Sequence, residues 1–193
     1  MELDLDKSYR YSVFSSRKKN YLGVFPDGTP DVKGLTGKKS NVPEFLKKAF
    51  EHTVNRLGEV KSPADFDDAK KEIRRIVRDC YLKLKRREYS LEDLAFKVVL
   101  GKIPAGYTKT TPQHVKAAKL LMEKGVEIKA GDEIQFVKVL REPHVKPAQL
   151  ASPSEVDVDK YVGYIRSTFD QVLEPLDLDF NEIIGLTKLE RFM

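Results

Sequence analysis

The chain has 193 residues, 40% of them hydrophobic, enough for one ordinary core or two small ones without covalent staples. It contains no apolar run of about 18 residues, which excludes a membrane-spanning helix, and its acidic, alternating start, Met1-Glu-Leu-Asp-Leu-Asp, fits neither a signal nor a transit peptide. The net charge of +5 is modest, and the single cysteine, Cys80, excludes an internal disulfide and fits a reducing cytoplasm.

Residues 1–33 are expected to be β. Tyr9-Arg-Tyr-Ser-Val-Phe, Tyr21-Leu-Gly-Val-Phe and Asp31-Val-Lys are short strand signals, separated by the polar connection Arg17-Lys-Lys-Asn and the turn Pro26-Asp-Gly-Thr. Three such strands bury little by themselves, so the segment is expected to complete a sheet begun elsewhere. After Gly37 the period changes to that of a helix. Asn41, Pro43 and Glu44 are a start signal, Leu46, Ala49, Phe50, Thr53 and Leu57 share a face, and Gly58 is a stop. Ser62-Pro63 opens a longer helix with a buried stripe of Phe66, Ala69, Ile73, Ile76, Val77, Cys80 and Leu84. Lys71, Arg75, Arg78 and Lys85 run along another face, which is either solvated or turned to a polyanion.

Ser90 marks a new start, and the paired valines of Leu94-Ala-Phe-Lys-Val-Val-Leu favour a strand. A loop from Gly101 to Thr111 leads through Pro112 into a helix with Val115, Ala118, Leu121 and Met122 on one face, ended by Gly125. Val126-Glu-Ile and Asp132–Leu140 are expected to pair as a hairpin through Lys129-Ala-Gly, followed by a linker over Glu142–Ser154. Tyr161, Tyr164, Ile165, Phe169 and Val172 mark an amphipathic helix over Asp157–Leu173. The order is strands, then helices, then a mixture, an α+β chain.

Charge is unevenly distributed. Arg17–Lys48 carries eight basic and three acidic side chains, and Lys70–Lys102 eleven and five, whereas Ser152–Met193 carries four and nine. Such polarity suits a polyanion on one side of the protein. Catalytic sets are missing: His52, His114 and His144 are far apart in sequence, and no phosphate loop, GxSxG or dinucleotide fingerprint occurs. The acid pairs Asp67-Asp68 and Glu92-Asp93 are adjacent residues that point apart on a helix, which suits capping better than metal binding.

Arg17-Lys-Lys-Asn-Tyr-Leu-Gly resembles the Lys-Lys-Arg-Tyr-Gly-type motif late in the palm of family B DNA polymerases, with the family's Lys-x-Tyr on Lys19 and Tyr21. Two residues apart on a strand, that pair is expected to share a face. The family's later signals follow in order: Asp27-Gly28, Lys33-Gly34, then Lys38-Lys39-Ser40 where the family usually has arginines and an aspartate. Leu94–Leu100, Tyr107, Pro112-Gln-His-Val with Ala117-Ala118, Gly131-Asp-Glu-Ile-Gln-Phe and Asp159-Lys-Tyr-Val-Gly-Tyr are similar to the family's thumb strands and helices. The resemblance covers nearly the whole chain and is of archaeal type.

The resemblance implies short antiparallel palm-edge strands over residues 1–40, a mainly helical thumb with a small β-hairpin over 41–180, and a tail over 181–193. It implies that Lys18, Lys19, Tyr21, Lys38 and Lys39, with Tyr107, Lys109, Thr110, Thr111 and His114, hold primer–template DNA through its backbone. His114 is equally readable as a capping or packing residue. Leu189, Phe192 and Met193 resemble the plug positions of a sliding-clamp-binding box, against the alternative of an accidental apolar terminus. The family's metal-holding motifs Asp-x-x-Ser-Leu-Tyr and Tyr-Gly-Asp-Thr-Asp do not occur. This chain is therefore expected to bind no cofactor itself and not to be catalytic alone. The complete polymerase would use Mg2+ and a larger chain with exonuclease, palm and fingers. The expected setting is cytoplasmic and nucleoid-associated, whether as the small subunit of a split polymerase or as an excised piece. The alternative is a non-catalytic nucleic-acid-binding or clamp-recruiting accessory protein.

Overall fold

Short runs of aromatic and β-branched residues, each closed by a turn, form the first strands. A computed structural model describes residues 7–186. In chain order its main elements are β1 (Tyr11–Phe14), β2 (Tyr21–Val24), β3 (Pro30–Lys33), α1 (Glu44–Gly58), α2 (Pro63–Lys85), α3 (Leu91–Leu94) and β4 (Phe96–Val99). They continue with α4 (Gln113–Glu123), β5 (Glu133–Lys138), β6 (Val145–Pro147), α5 (Val158–Leu173) and α6 (Phe180–Ile184). Two antiparallel three-stranded sheets among helices make this an α+β fold. The described residues divide into two compact units, the first of residues 7–39, 46–82 and 164–186, the second of 40–45 and 83–163.

In the first unit the strand order is β1-β2-β3. The register puts Tyr11, Val13, Leu22, Val24, Pro30 and Val32 on one face and Ser12, Phe14, Tyr21, Gly23, Asp31 and Lys33 on the other. Leu22 and Val24 on the first face are fully buried, whereas Phe14 on the second is 67% exposed. Helix α1 begins after Pro43 rather than at Asn41, because a residue that precedes proline is steered away from helical geometry. At its other end, the Tyr11 hydroxyl donates to the Leu57 carbonyl and Arg10 Nη2 donates to the Gly58 carbonyl at 3.0 Å, so side chains satisfy carbonyls the helix leaves open. Gly58 is required there, since a Cβ would lie 2.7 Å from the Gly28 carbonyl oxygen. Ser62 caps α2: its Oγ accepts from Asp65 N at 3.2 Å, and Asp65 Oδ2 accepts from Ser62 N at 2.9 Å. Of the expected stripe, Ala69, Ile73, Ile76, Val77, Cys80 and Leu84 are buried, whereas Phe66, in the first turn, is only half-buried.

In the second unit the order is β4-β5-β6. Phe96, Val98, Ile134, Phe136 and Val145 lie on one face by register, and the core gathers Leu100, Val115, Ala117, Ala118, Leu121, Ile134, Phe136 and Val145. The paired valines are a strand, as their propensity suggests. The expected hairpin is different. Val126–Ile128 forms no strand, and β5 pairs instead with β4 and with β6, which lies inside the expected linker. The reason lies in the turn: Asp132 Oδ2 accepts from Lys129 N at 2.7 Å, while Gly131 N and the Asp132 carbonyl bond to the backbone of Leu100, which steers β5 onto β4. Met122, expected on the buried face of α4, is 46% exposed. Tyr161 is fully buried in this unit, with its hydroxyl donating to the Leu94 carbonyl at 2.8 Å and accepting from Lys138 N at 3.1 Å. Among the described residues no helix is long and apolar enough to cross a membrane.

Candidate nucleic-acid interface

The expected DNA-holding residues fall into two groups, one in each unit. In the first unit, Lys18 and Lys19 are exposed on the connection between β1 and β2. Asn20 N bonds to the Arg17 carbonyl at 3.3 Å and Ser15 N to the Asn20 carbonyl at 3.1 Å, so residues 17–20 are a turn. Lys19 has φ +62°, left-handed backbone. The expectation that Lys19 and Tyr21 share a strand face therefore fails: β2 starts at Tyr21, and strand alternation does not reach back through a left-handed residue. The turn packs closely on the next loop, because a Cβ on Gly34 would collide with Asn20 Oδ1 and lie 2.8 Å from the Lys19 carbonyl oxygen.

That loop carries Lys38 and Lys39, both exposed. It is anchored from beneath. The Gly37 position lies against the Phe50 ring, which a Cβ there would overlap, and Thr36 N donates to Gln171 Oε1 at 2.8 Å. Four ammonium groups thus sit on two loops pinned to the unit, outside any strand pairing.

Tyr21 is half-buried on the open face of the first sheet. Its hydroxyl lies 3.2 Å from the Tyr9 hydroxyl, and Tyr9 donates to Asp31 Oδ2 at 2.5 Å. Lys7 Nζ lies 2.6 Å from the same carboxylate oxygen. The Tyr9 ring lies over Gly23, where a Cβ would be 2.5 Å from it, and 5.0 Å from the Phe25 ring centroid. The Lys7 ammonium, and after it the Tyr9 hydroxyl, hold the Asp31 carboxyl below the usual carboxylate range. Burial, and then the bond to Asp31, raise the Tyr9 phenol above its ordinary value. Sequence patterning did not single out Lys7, Tyr9 or Asp31. The one signal was Gly23, a glycine inside a strand, which marks a close approach.

In the second unit, a turn of 3-10 helix over Pro104–Gly106 delivers Tyr107 against the core. The Lys102 ammonium sits 4.8 Å over the Tyr107 ring, and His114 meets that ring edge-on at 6.0 Å. Lys102 was missed because its partner lies across the turn. Lys109, Thr110 and Thr111 are exposed ahead of α4, whose flanking residue Pro112 offers no side-chain cap. Burial pushes the half-buried His114 below its ordinary value. The structure brings together Lys102, Tyr107 and His114, and separately the loops of Lys18, Lys19, Lys38 and Lys39. The tail residues Leu189, Phe192 and Met193 lie outside the described residues.

Residues 1–177 match the family model described as DNA polymerase family B. The chain belongs to DNA polymerase family B. It is 44% identical over 192 residues to DNA polymerase 1 of Sulfolobus acidocaldarius, covering all of this chain and 22% of that protein. It is 41% identical over 193 residues to DNA polymerase 1 of Aeropyrum pernix, covering all of this chain and 20% of that protein. The fold is similar to the solved family B DNA polymerase of Pyrobaculum calidifontis, with a TM-score of 0.61 and 25% identity, over 96% of this chain and 23% of that one. The chain thus spans about a fifth of the length of these family B relatives.

A family B polymerase implies a metal-dependent centre. The described residues do not fit one: no three of their His, Cys, Asp or Glu side chains cluster, and Asp31 is engaged by Lys7 and Tyr9.

Proposed function

We propose that this chain is the palm-end and thumb part of a family B DNA polymerase, residues 1–40 and 41–180 respectively. It grips primer–template duplex, and the catalytic carboxylates lie outside this sequence, on a larger polypeptide or segment with exonuclease, palm and fingers. The observation that carries the proposal is the pair of pinned loops presenting Lys18, Lys19, Lys38 and Lys39 in a chain of this family. Ammonium groups on rigid loops neutralise phosphates without reading bases. Tyr107, Lys109, Thr110, Thr111 and His114 supply a second set of hydroxyl, imidazole and ammonium donors at the start of α4. Mg2+ belongs to the complete enzyme, and Leu189, Phe192 and Met193 are candidates for a sliding clamp.

The test measures binding of labelled primer–template by fluorescence anisotropy, and primer extension after adding a polypeptide that carries the family's palm and finger motifs. The expected result is DNA affinity by this chain and extension only from the mixture. If the chain leaves both DNA affinity and extension by that polypeptide unchanged, the function is wrong.

A further inference from the structure

A groove in the second unit takes no part in the proposed grip. It lies between α4 and the loop that joins β5 to β6, with a volume of about 490 Å³. Its apolar lining is Leu120 of α4 with Val139, Leu140, Pro143 and Val145. Leu140 is 58% exposed, yet the loop that carries it is tied down. Leu140 N donates to the Glu155 carbonyl at 3.0 Å, Val139 N to the His144 carbonyl at 3.3 Å and His144 N to the Arg141 carbonyl at 2.8 Å. A lone exposed leucine is ordinary, but here it joins four other apolar side chains in one concave wall, which marks a surface for a partner.

Charge decides the kind of partner. Lys116 and Lys124 stand one turn on either side of Leu120, on the same ridge of α4, and Arg141 lines the opposite wall. None of these three forms a salt bridge with a described residue. The carboxylates nearby are largely committed: Lys146 Nζ lies 2.8 Å and 3.0 Å from the two Glu155 oxygens, and Glu142 lies 3.0 Å from His144 Nε2, which leaves Glu123 on α4. The rim is thus cationic around an apolar floor. A nucleic-acid strand suits it poorly, since no aromatic ring lines the groove for a base to stack on, and Glu142 and Glu155 stand in its wall. A protein segment suits it well, with an apolar side chain on the floor and carboxylates at the rim.

We propose that this groove docks a protein partner through a short acidic segment carrying one large apolar residue. Leu120, Leu140 and Val145 receive the apolar side chain, and Lys116, Lys124 and Arg141 receive the carboxylates. The site goes beyond the DNA grip and uses none of its residues.

The experiment titrates the full chain into a fluorescein-labelled synthetic peptide of aspartate, glutamate and serine with a central leucine, and into the same peptide with a central alanine. Anisotropy should show the leucine peptide bound about threefold to tenfold more tightly, the range for a leucine partly withdrawn from water. Leu140→Ser should erase most of that preference. Lys124→Glu with Arg141→Glu should weaken both peptides and flatten their salt dependence. Lys18→Ala with Lys19→Ala should change neither. Equal binding of the two peptides by wild type means that charge alone holds them and overturns the inference, as does binding of neither. A Leu140→Ser variant that melts like wild type yet keeps the leucine preference overturns the assignment of the site. Displacement of the peptide by single-stranded DNA that itself loses affinity in Leu140→Ser gives the groove to nucleic acid and overturns the inference. Wild type that takes the leucine peptide but not primer–template supports the docking site and removes the grip alone.

Discussion

Lys138 is 3% exposed, on β5, with its ammonium 5.0 Å from the ring centroids of both Phe96 and Phe136. Burial, and then the neighbouring Lys160, depress its pKa from 10.5 to about 8. A depressed lysine means that the folded protein carries a charge it holds poorly. Below about pH 8 both folded and unfolded chains are protonated and the full penalty is present. Between about 8 and 10.5 the folded chain releases its proton first, so stability rises with pH across that window. Lys138→Met should therefore raise the melting temperature at pH 7, and the gap should shrink by pH 10. The expected gain is about 1–2 kcal/mol, discounted for solvent at the ammonium tip and for the cation–ring attraction that methionine gives up. A thermal melt of both proteins at the two pH values checks it. Gly37 makes a simpler case: Gly37→Ala drives a methyl into the Phe50 ring and should destabilise by about 1–3 kcal/mol in a urea titration. The full setting of neither is visible in a strand or turn pattern: Phe136 is two residues from Lys138 on β5, but Phe96 comes from β4, and Phe50 reaches Gly37 from α1.

Among the elements, those with local signals were legible. The Ser62-Pro63 start and the stripe from Ala69 to Leu84 are where periodicity puts them, and Cys80 is buried as that stripe requires. Ser62→Ala removes the acceptor for Asp65 N and should cost about 1 kcal/mol in a denaturant melt, since a cap is worth about 0.5–2 kcal/mol. The second sheet was legible only in part. Val98-Val99 declared a strand, but the partner of β5 depended on which backbone groups the Lys129–Asp132 turn left free. That turn bonds to Leu100, about thirty residues earlier in the chain, and periodicity carries no information at that range. The Lys19–Tyr21 pairing failed for a related reason, since a left-handed residue breaks the alternation that the pairing requires.

For the whole molecule, the proposed grip has a signature in salt. Lys18→Ala with Lys19→Ala should weaken DNA binding alike on every backbone-matched sequence and flatten the dependence of log K on log salt by about 0.9 for each phosphate no longer neutralised. Anisotropy at several salt concentrations measures that slope, and a weakening restricted to one DNA sequence would contradict the grip. Family membership was readable from the linear sequence because motifs are short stretches of residues in order, and order survives without any knowledge of folding. The α+β class and the Ser62-Pro63 helix start were readable too, because caps, prolines and periodicity act within a few residues. What the tertiary structure alone decided is how distant groups meet: Tyr9 and Asp31 around the Tyr21 hydroxyl, Phe96 of β4 against the Lys138 ammonium, and Leu100 against the turn before β5. Those meetings follow from strand register and packing, which depend on the summed fit of many residues rather than on any neighbouring few.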